Sequence, residues 1–472
     1  MRCERASTSR PTLSAYFAAH ALLPGGWARD VLIETNAGGD IERLAEGAKA
    51  DGAVRLWGPV LPGMPNVHSH AFQRALAGTA ESGDPARHDT FWTWRDRMYR
   101  LVLTLEPPDI EAVATWVYLE MLKSGYTAVG EFHYLFHTPD GSRYDSPTET
   151  ADRVIAAAER SGIGLTLLPA LYTYSGFGQQ APSSPQRRFA MDVEEFCALW
   201  DALDARIGRN PQCTLGVAPH SLRAVSPQSL ASVVTHVSRR RPEVPVHIHV
   251  AEQQAEVDAC VAWCGARPVA WLLEHAPVSE RWCLVHATHL DASERTRAAL
   301  TGAVAGLCPT TEANLGDGIF PAQQWLAGQG RIGIGSDSQV TIDPAEELRW
   351  LEYGQRLFLQ QRAVLCTAET PSVGGTLYRV ALAGGAQALG RSIGRIERGF
   401  RADLVVLDGE NSAFRDVTGD GLLDRYIFGG VREPVRDVMV GGRWVVANRR
   451  ANGEHAAKSR YLRAVAHLRE RA

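Results

Sequence analysis

No apolar run in these 472 residues approaches the roughly 20 needed to span a bilayer. Basic excess is also missing, because 49 lysines and arginines face 53 aspartates and glutamates, for a net charge of −4. That balance gives no electrostatic footprint for nucleic acid, and RNA-binding and helix-turn-helix signatures are absent. Cysteine is sparse: the chain has eight, with no C-x-x-C pair. Cys260 and Cys264 are four apart on an expected helix and read as buried or partly buried thiols in a reducing cytosol. Arg2, Arg5 and Arg10 stand among Ser and Thr with no long apolar stretch behind them, which reads as a frayed tail rather than a secretory signal. The expectation is a cytoplasmic protein that engages neither nucleic acid nor membrane.

What is present is a large apolar share, 45% of the chain, and a length that suits a barrel with an appended domain. Strand-like runs and helical patterns alternate from Leu61 to about Gly394. The expected strands are Leu61 to Val67, Ala128 to Glu131, Gly164 to Ala170, Thr214 to Ala218, Val246 to Val250, Trp282 to Val285, Ala303 to Leu307 and Arg331 to Gly335. Helical stretches such as Pro108 to Ser124, Ser146 to Ser161 and Pro227 to Arg240 separate them. Eight such units in order predict an α/β fold, a (β/α)8 TIM barrel over residues 61–394, rather than an open sheet. The flanks, 1–60 and 395–472, read as strands of a small β-sandwich built from both termini. Its strands are expected at Val31 to Thr35, Ala53 to Trp57, Ala402 to Leu407, Asp437 to Val440 and Arg443 to Val446. Gly441-Gly442 would join the last two as a hairpin. Ser459 to Arg471 reads as a charged amphipathic helix. The stretch Tyr172 to Arg188, rich in Gly, Pro, Ser and Gln, has the length of a lid or a disordered segment.

The chemistry sits at the strand ends. The first strand runs into His68-Ser69-His70, and residues two apart on a strand point the same way, so both imidazoles can reach one metal ion. A lone pair of this kind is weak evidence; its weight comes from similar endings elsewhere. Val246-His247-Ile248-His249-Val250-Ala251-Glu252 offers His247 or His249 as a further ligand, with His249 nearer the mouth. Glu252 is either a proton carrier or a carboxylate satisfying helix-terminal amides. Trp282-Cys283-Leu284-Val285-His286 ends another strand, and His286 is better placed than His289. Gly333-Ile334-Gly335-Ser336-Asp337 ends the eighth, where glycine permits close approach. Asp337 can bind zinc and accept a proton, or cap the next helix, a role for which Asp343 competes. Together these are the ligands, acid and base of a hydrolytic metal site.

These strings resemble the amidohydrolase superfamily: Pro62-Gly63-Met64-Pro65-Asn66-Val67-His68-Ser69-His70, His249-Val250-Ala251-Glu252, the late His286 and Gly335-Ser336-Asp337. Gly394-Arg395-Ile396-Glu397-Arg398-Gly399 followed by Ala402-Asp403-Leu404-Val405-Val406 is similar to that superfamily's small-domain signature. More narrowly, three strings resemble the formimidoylglutamate deiminases of histidine degradation. They are His68-Ser69-His70-Ala71-Phe72-Gln73-Arg74, Gly130-Glu131-Phe132-His133-Tyr134 and Ala218-Pro219-His220-Ser221-Leu222-Arg223. The resemblance covers about Leu61 to Leu407 and leaves the stretch before Ala50 least well matched. It implies one Zn2+ per chain held by His68, His70, His249 and Asp337. Glu252, His286 and Asp337 would be catalytic, with no lysine placed to bridge a second metal.

The implied reaction is hydrolytic deimination of N-formimidoyl-L-glutamate to N-formyl-L-glutamate and ammonia. Two carboxylates call for guanidinium forks and hydroxyl or amide donors. By the same resemblance Gln73, Arg95, Tyr134, His220 and Arg223 are expected to contact this small acidic amidine. A different zinc aminohydrolase, acting on guanine, an adenosine derivative or a triazine, would instead favour an aromatic stacking pocket. A non-catalytic binding barrel would not need the full set of ligands and acids. A homodimer is expected by analogy with the superfamily.

Overall fold

A computed structural model describes residues 14–81, 89–208 and 210–471. The N-terminal arginines read as a frayed tail lie outside the described residues. The barrel strands are Met64–Ser69, Tyr126–His133, Gly164–Leu171, the broken pair Cys213–Leu215 and Ala218–Pro219, Val246–Val250, Trp282–His286, Val304–Leu307 and Arg331–Ile334. Neighbours pair in parallel around the sheet, and the first strand pairs with the last through Asn66 and Ile334. Parallel bridges Val217 to Val246 and Ser221 to His249 close the ring. The first, second, third, fifth, sixth and seventh strands are buried at every position. Helices cover their outer faces, which is why they read as continuous apolar runs rather than alternating ones.

The expected strand Leu61 to Val67 is two strands. Val60–Pro62 joins the small domain, and Met64–Ser69 enters the barrel. The break falls at Gly63, where a Cβ would lie 2.2 Å from the Thr127 side chain. Only glycine lets the chain pass there.

The small domain is one nine-stranded mixed sheet that draws strands from both termini. Val60–Pro62 is its seam, antiparallel to Leu404–Leu407 and parallel to Ser14–Leu23. Ser14–Leu23 and Gly26–Thr35 form a long antiparallel pair. Tyr16, Val31, Ile33, Val60, Ile396, Leu404 and Met439 share the core of this domain. Gly441 and Gly442, at φ 53° and 73°, make the expected hairpin turn. The C-terminal helix begins earlier than expected, at Glu454–Arg471, and stacks Tyr461 on Trp116 of Pro107–Ser124. Cys260 is buried and Cys264 exposed.

The stretch Tyr172 to Arg188 is tied down rather than loose. Arg188 is fully buried. Its Nε donates to the His137 carbonyl at 2.9 Å and its Nη1 to those of Val102 and Leu105, while Nη2 donates to the Tyr144 hydroxyl. A buried guanidinium must have its donors satisfied, and satisfying them here fixes the segment against the end of helix Phe91–Val102.

Candidate active site

His68, His70, His249, His286 and Asp337 converge at the C-terminal mouth of the barrel, where such folds place their chemistry. The Nε2 atoms of His68, His70 and His249 lie 3.1, 3.4 and 3.0 Å apart, pair by pair. Asp337 Oδ1 is 3.5 Å from Nε2 of both His68 and His70. The opposite nitrogen of His70 faces the Phe132 carbonyl at 3.0 Å, and that of His249 faces the His220 carbonyl at 3.0 Å. A carbonyl only accepts, so each Nδ1 carries the hydrogen and each Nε2 presents a lone pair. Two such lone pairs 3.4 Å apart cannot bond to each other. A cation between them resolves the conflict, and neutral imidazole beside a carboxylate is the donor set zinc takes.

The electrostatics agree. Burial lowers the pKa of His68 to about 3, with the neighbouring His70 and His286 adding to the effect. Burial likewise lowers His70 and, together with neighbouring histidines, His249. Burial opposes ionisation of Asp337, yet His68, His70 and His286 hold it well below the usual carboxylate range. His286 goes the other way: burial opposes its charge, but Glu252, Glu312 and Asp337 lift it to about 10. Its Nε2 is 3.7 Å from Glu252 Oε1 and 3.8 Å from Asp337 Oδ2, and its Nδ1 is 3.3 Å from Glu312 Oε1. Burial raises Glu252, and His286 and Arg223 partly offset this.

The open alternatives resolve individually. His247 sits deeper, with Nε2 2.7 Å from the Ala388 carbonyl, and takes no part in the cluster. His289 faces the Asp317 carbonyl. Glu252 caps nothing: Gln253 occupies the cap position, and the Glu252 amide donates to Glu256 Oε2. Asp343 caps Pro344–Leu359 through the Ala345 amide, which frees Asp337. Gly335 is required, because a Cβ there would come within 2.8 Å of the His68 carbonyl. His286 and Asp337 both adopt left-handed backbone, φ 65° and 42°. Non-glycine residues hold such conformations at a cost of about 1–3 kcal/mol where the surroundings over-determine them.

Asp337 is over-determined by a polar chain that sequence reading missed. Its amide donates to the His68 carbonyl and its carbonyl accepts from the His70 amide. Gln339 Nε2 donates to the Asp337 carbonyl and to Ser69 Oγ. Ser69 Oγ donates to Glu131, which also accepts from the Ala71 amide. Asn66 and Ser336 bond across the same two strands. Glu312 and Asp317, also missed, are buried beside His286 and Glu252, and Asp317 is pushed up to about 10 by burial and by Glu252.

Gln73, Arg95, Tyr134, His220 and Arg223 all line the cavity that holds His70, His249, Glu252, His286 and Asp337. Arg95 is no surface ion pair. It lies over the rings of Trp92 at 4.4 Å and Tyr99 at 5.3 Å, its Nε is buried without a hydrogen-bond partner, and it meets no carboxylate among the described residues. Tyr134 is buried, and Gln73 Nε2 donates to its hydroxyl while Gln73 Oε1 is unpartnered. His220 Nδ1 pairs with Ser221 Oγ, and burial with the nearby Arg223 lowers its pKa well below the usual value. Arg223 stands 3.9 Å from Glu252 and 4.0 Å from Glu256, so it faces two carboxylates as well as the cavity. Tyr99 and Tyr172 complete the wall, both hydroxyls accepting from Gln186 Nε2. For Tyr99 the missed signal was its position one helical turn after Arg95.

Residues 60–445 match the amidohydrolase family, and residues 13–57 match the N-terminal domain of formimidoylglutamate deiminase HutF. The chain is 54% identical over 453 residues to a formimidoylglutamate deiminase of Pseudomonas aeruginosa, spanning 96% of this chain and 98% of that relative. A crystal structure of an amidohydrolase from Brucella melitensis superposes with a TM-score of 0.91 at 46% identity, covering 96% of this chain and 99% of the other. An adenosine deaminase from Xanthomonas campestris, solved with bound zinc, shares the fold at TM-score 0.79 and 22% identity over 97% of this chain and 98% of the other.

Proposed function

The chain belongs to the amidohydrolase family, and from that membership we propose that it hydrolyses N-formimidoyl-L-glutamate to N-formyl-L-glutamate and ammonia in histidine degradation. The observation that carries the substrate is Arg95, a cation without a carboxylate partner among the described residues, in the same cavity as Arg223 and the imidazole cluster. A dianion supplies the missing negative charge. A purine would leave the Arg95 guanidinium, whose Nε is buried, without a carboxylate, at a cost.

His68, His70, His249 and Asp337 would hold one Zn2+, which when bound supplies Lewis-acid activation of water near neutral pH. The protein's own groups do the rest. Asp337, kept ionised by its imidazole neighbours, takes a proton from the attacking water. The water oxygen bonds to the formimidoyl carbon. His286, charged across the neutral range, faces the negative charge that develops on that oxygen. Glu252 carries the remaining proton of that oxygen to the terminal nitrogen of the protonated amidine, the bond from carbon to that nitrogen breaks as the formyl carbonyl forms, and ammonia leaves. Arg95, Arg223, Tyr134, His220 and Gln73 orient the two carboxylates. The protein is proposed to act in the cytoplasm as a homodimer; among the described residues no helix is long and apolar enough to cross a membrane.

Ammonia release from N-formimidoyl-L-glutamate, measured against a panel of uncharged amidines and aminopurines, tests the reading. The acidic amidine is expected to give the highest kcat/KM. An aminopurine that is turned over faster would replace the substrate and keep the hydrolytic site.

A further inference from the structure

Helix Pro344–Leu359 follows the eighth barrel strand and packs inward through the buried Leu348, Leu351 and Glu352. Its outer side carries a row of large apolar side chains beside Arg349 and Arg356, with the Arg356 guanidinium over the Tyr353 ring at 5.3 Å. Trp350, Tyr353, Leu357 and Phe358 are 44%, 37%, 75% and 70% exposed, and Ile319 beside Gly354 is 45% exposed. Residues three, four, seven and eight apart share one helical face. A contiguous exposed apolar face on a water-soluble fold marks an interaction site.

Gly354 stands at the centre of that face. Glycine inside a helix costs roughly 0.5–1 kcal/mol relative to alanine. Nothing among the described residues requires it, because a Cβ there would meet only Ile319 Cγ2, at an ordinary 3.7 Å. A glycine amid large apolar side chains lets a second helix approach closely. The charges select which helix. Glu346 lies in the first turn and Arg362 just past the last, and neither joins an ion pair among the described residues. A face with opposite charges at its two ends is complementary to itself under a two-fold axis, as an isologous interface requires.

We propose that a second copy of this chain docks here, its helix antiparallel to the first and crossing at Gly354. Trp350 and Phe358 lie four residues to either side of that glycine, so Trp350 meets the partner's Phe358. The acidic end of each helix meets the basic end of the other, bringing Glu346 toward the partner's Arg362. This surface rests on the homodimer reading and is independent of the substrate.

Sedimentation equilibrium of the full chain over a dilution series tests it. The parent is expected to be a dimer, and Trp350→Glu with Phe358→Glu a folded monomer by circular dichroism. Gly354→Ala fills only open space in the chain, so it keeps the native fold and should weaken dimerisation by at least about tenfold. Glu346→Arg should weaken it too, and adding Arg362→Glu should restore it. A monomeric parent overturns both the homodimer and the surface. A dimer that survives Trp350→Glu with Phe358→Glu, or that is indifferent to Gly354→Ala, overturns the surface alone.

Discussion

The floor and the wall of the cavity are built by different rules. The floor is His68, His70, His249, His286 and Asp337, all at or just past the ends of parallel strands. The wall is helix Phe91–Val102 and the stretch from Tyr172 to Arg188, which carry Arg95, Tyr99 and Tyr172. Floor residues are placed by strand register, so a spacing of two already specifies a shared direction. Wall residues are placed by contacts between segments far apart in sequence. Gln186 bonds to Tyr99, 87 residues away, and Arg188 to Val102, 86 away. On the proposed function, the floor would handle the reacting atoms and the wall would select what reaches them.

That division predicts a graded set of losses. The largest belongs to a floor ligand. His70→Ala should lose the zinc and with it all measurable turnover, read by metal analysis of the purified protein alongside ammonia release; retained stoichiometric zinc would remove His70 from the ligand set. Glu252→Gln comes next. It should keep the metal and lose about 10²-fold or more in kcat, as removal of a positioned proton carrier does. A variant nearly as fast as the parent would move that role elsewhere.

Gln339→Leu removes the donor shared by Ser69 and the Asp337 carbonyl. Partners that orient ligands without touching the metal are worth about 10–100-fold in metal affinity. Competition against a chromogenic chelator should therefore show weaker zinc binding, and an unchanged affinity would reduce the polar chain to ordinary packing. The smallest effect is expected from Gln186→Leu, which unties Tyr99 and Tyr172. Loss of about 1 kcal/mol of hydrogen bonding corresponds to about fivefold, expected in KM with kcat little changed. A loss confined to kcat would place these tyrosines with the floor.

The same division explains what the sequence made legible. The strand Val246–Val250 lies at the expected bounds, and the imidazoles proposed as ligands converge, because apolar runs, period-two spacing and strand-end position are local signals. The strand Ser14–Leu23 could not be placed, since its partners Gly26–Thr35 and Val60–Pro62 are what define it. Gly63 split an expected strand because of Thr127, a neighbour the local pattern does not reveal. A composition that suggests a lid at Tyr172 to Arg188 is overridden by one arginine, Arg188, whose buried donors find three carbonyls and a tyrosine hydroxyl. Gln339, Glu312 and Asp317 carry no motif of their own, and Glu131 stands in a quoted string that does not reveal its bond to Ser69; their placement comes from strands brought together in the barrel.

The most direct test compares one floor variant with one wall variant on two substrates. Glu252→Gln and Arg95→Ala are each assayed for kcat/KM with N-formimidoyl-L-glutamate and with an uncharged N-alkyl formamidine of similar size. A charge-assisted contact in a shielded site is worth about 1.5–3 kcal/mol, so Arg95→Ala should lose at least about tenfold on the dianion. It should lose little on the uncharged amidine, whereas Glu252→Gln should lose alike on both. Equal losses on the two substrates in Arg95→Ala would contradict the account, because the wall would then serve the chemistry or the fold and not the choice of an acidic substrate.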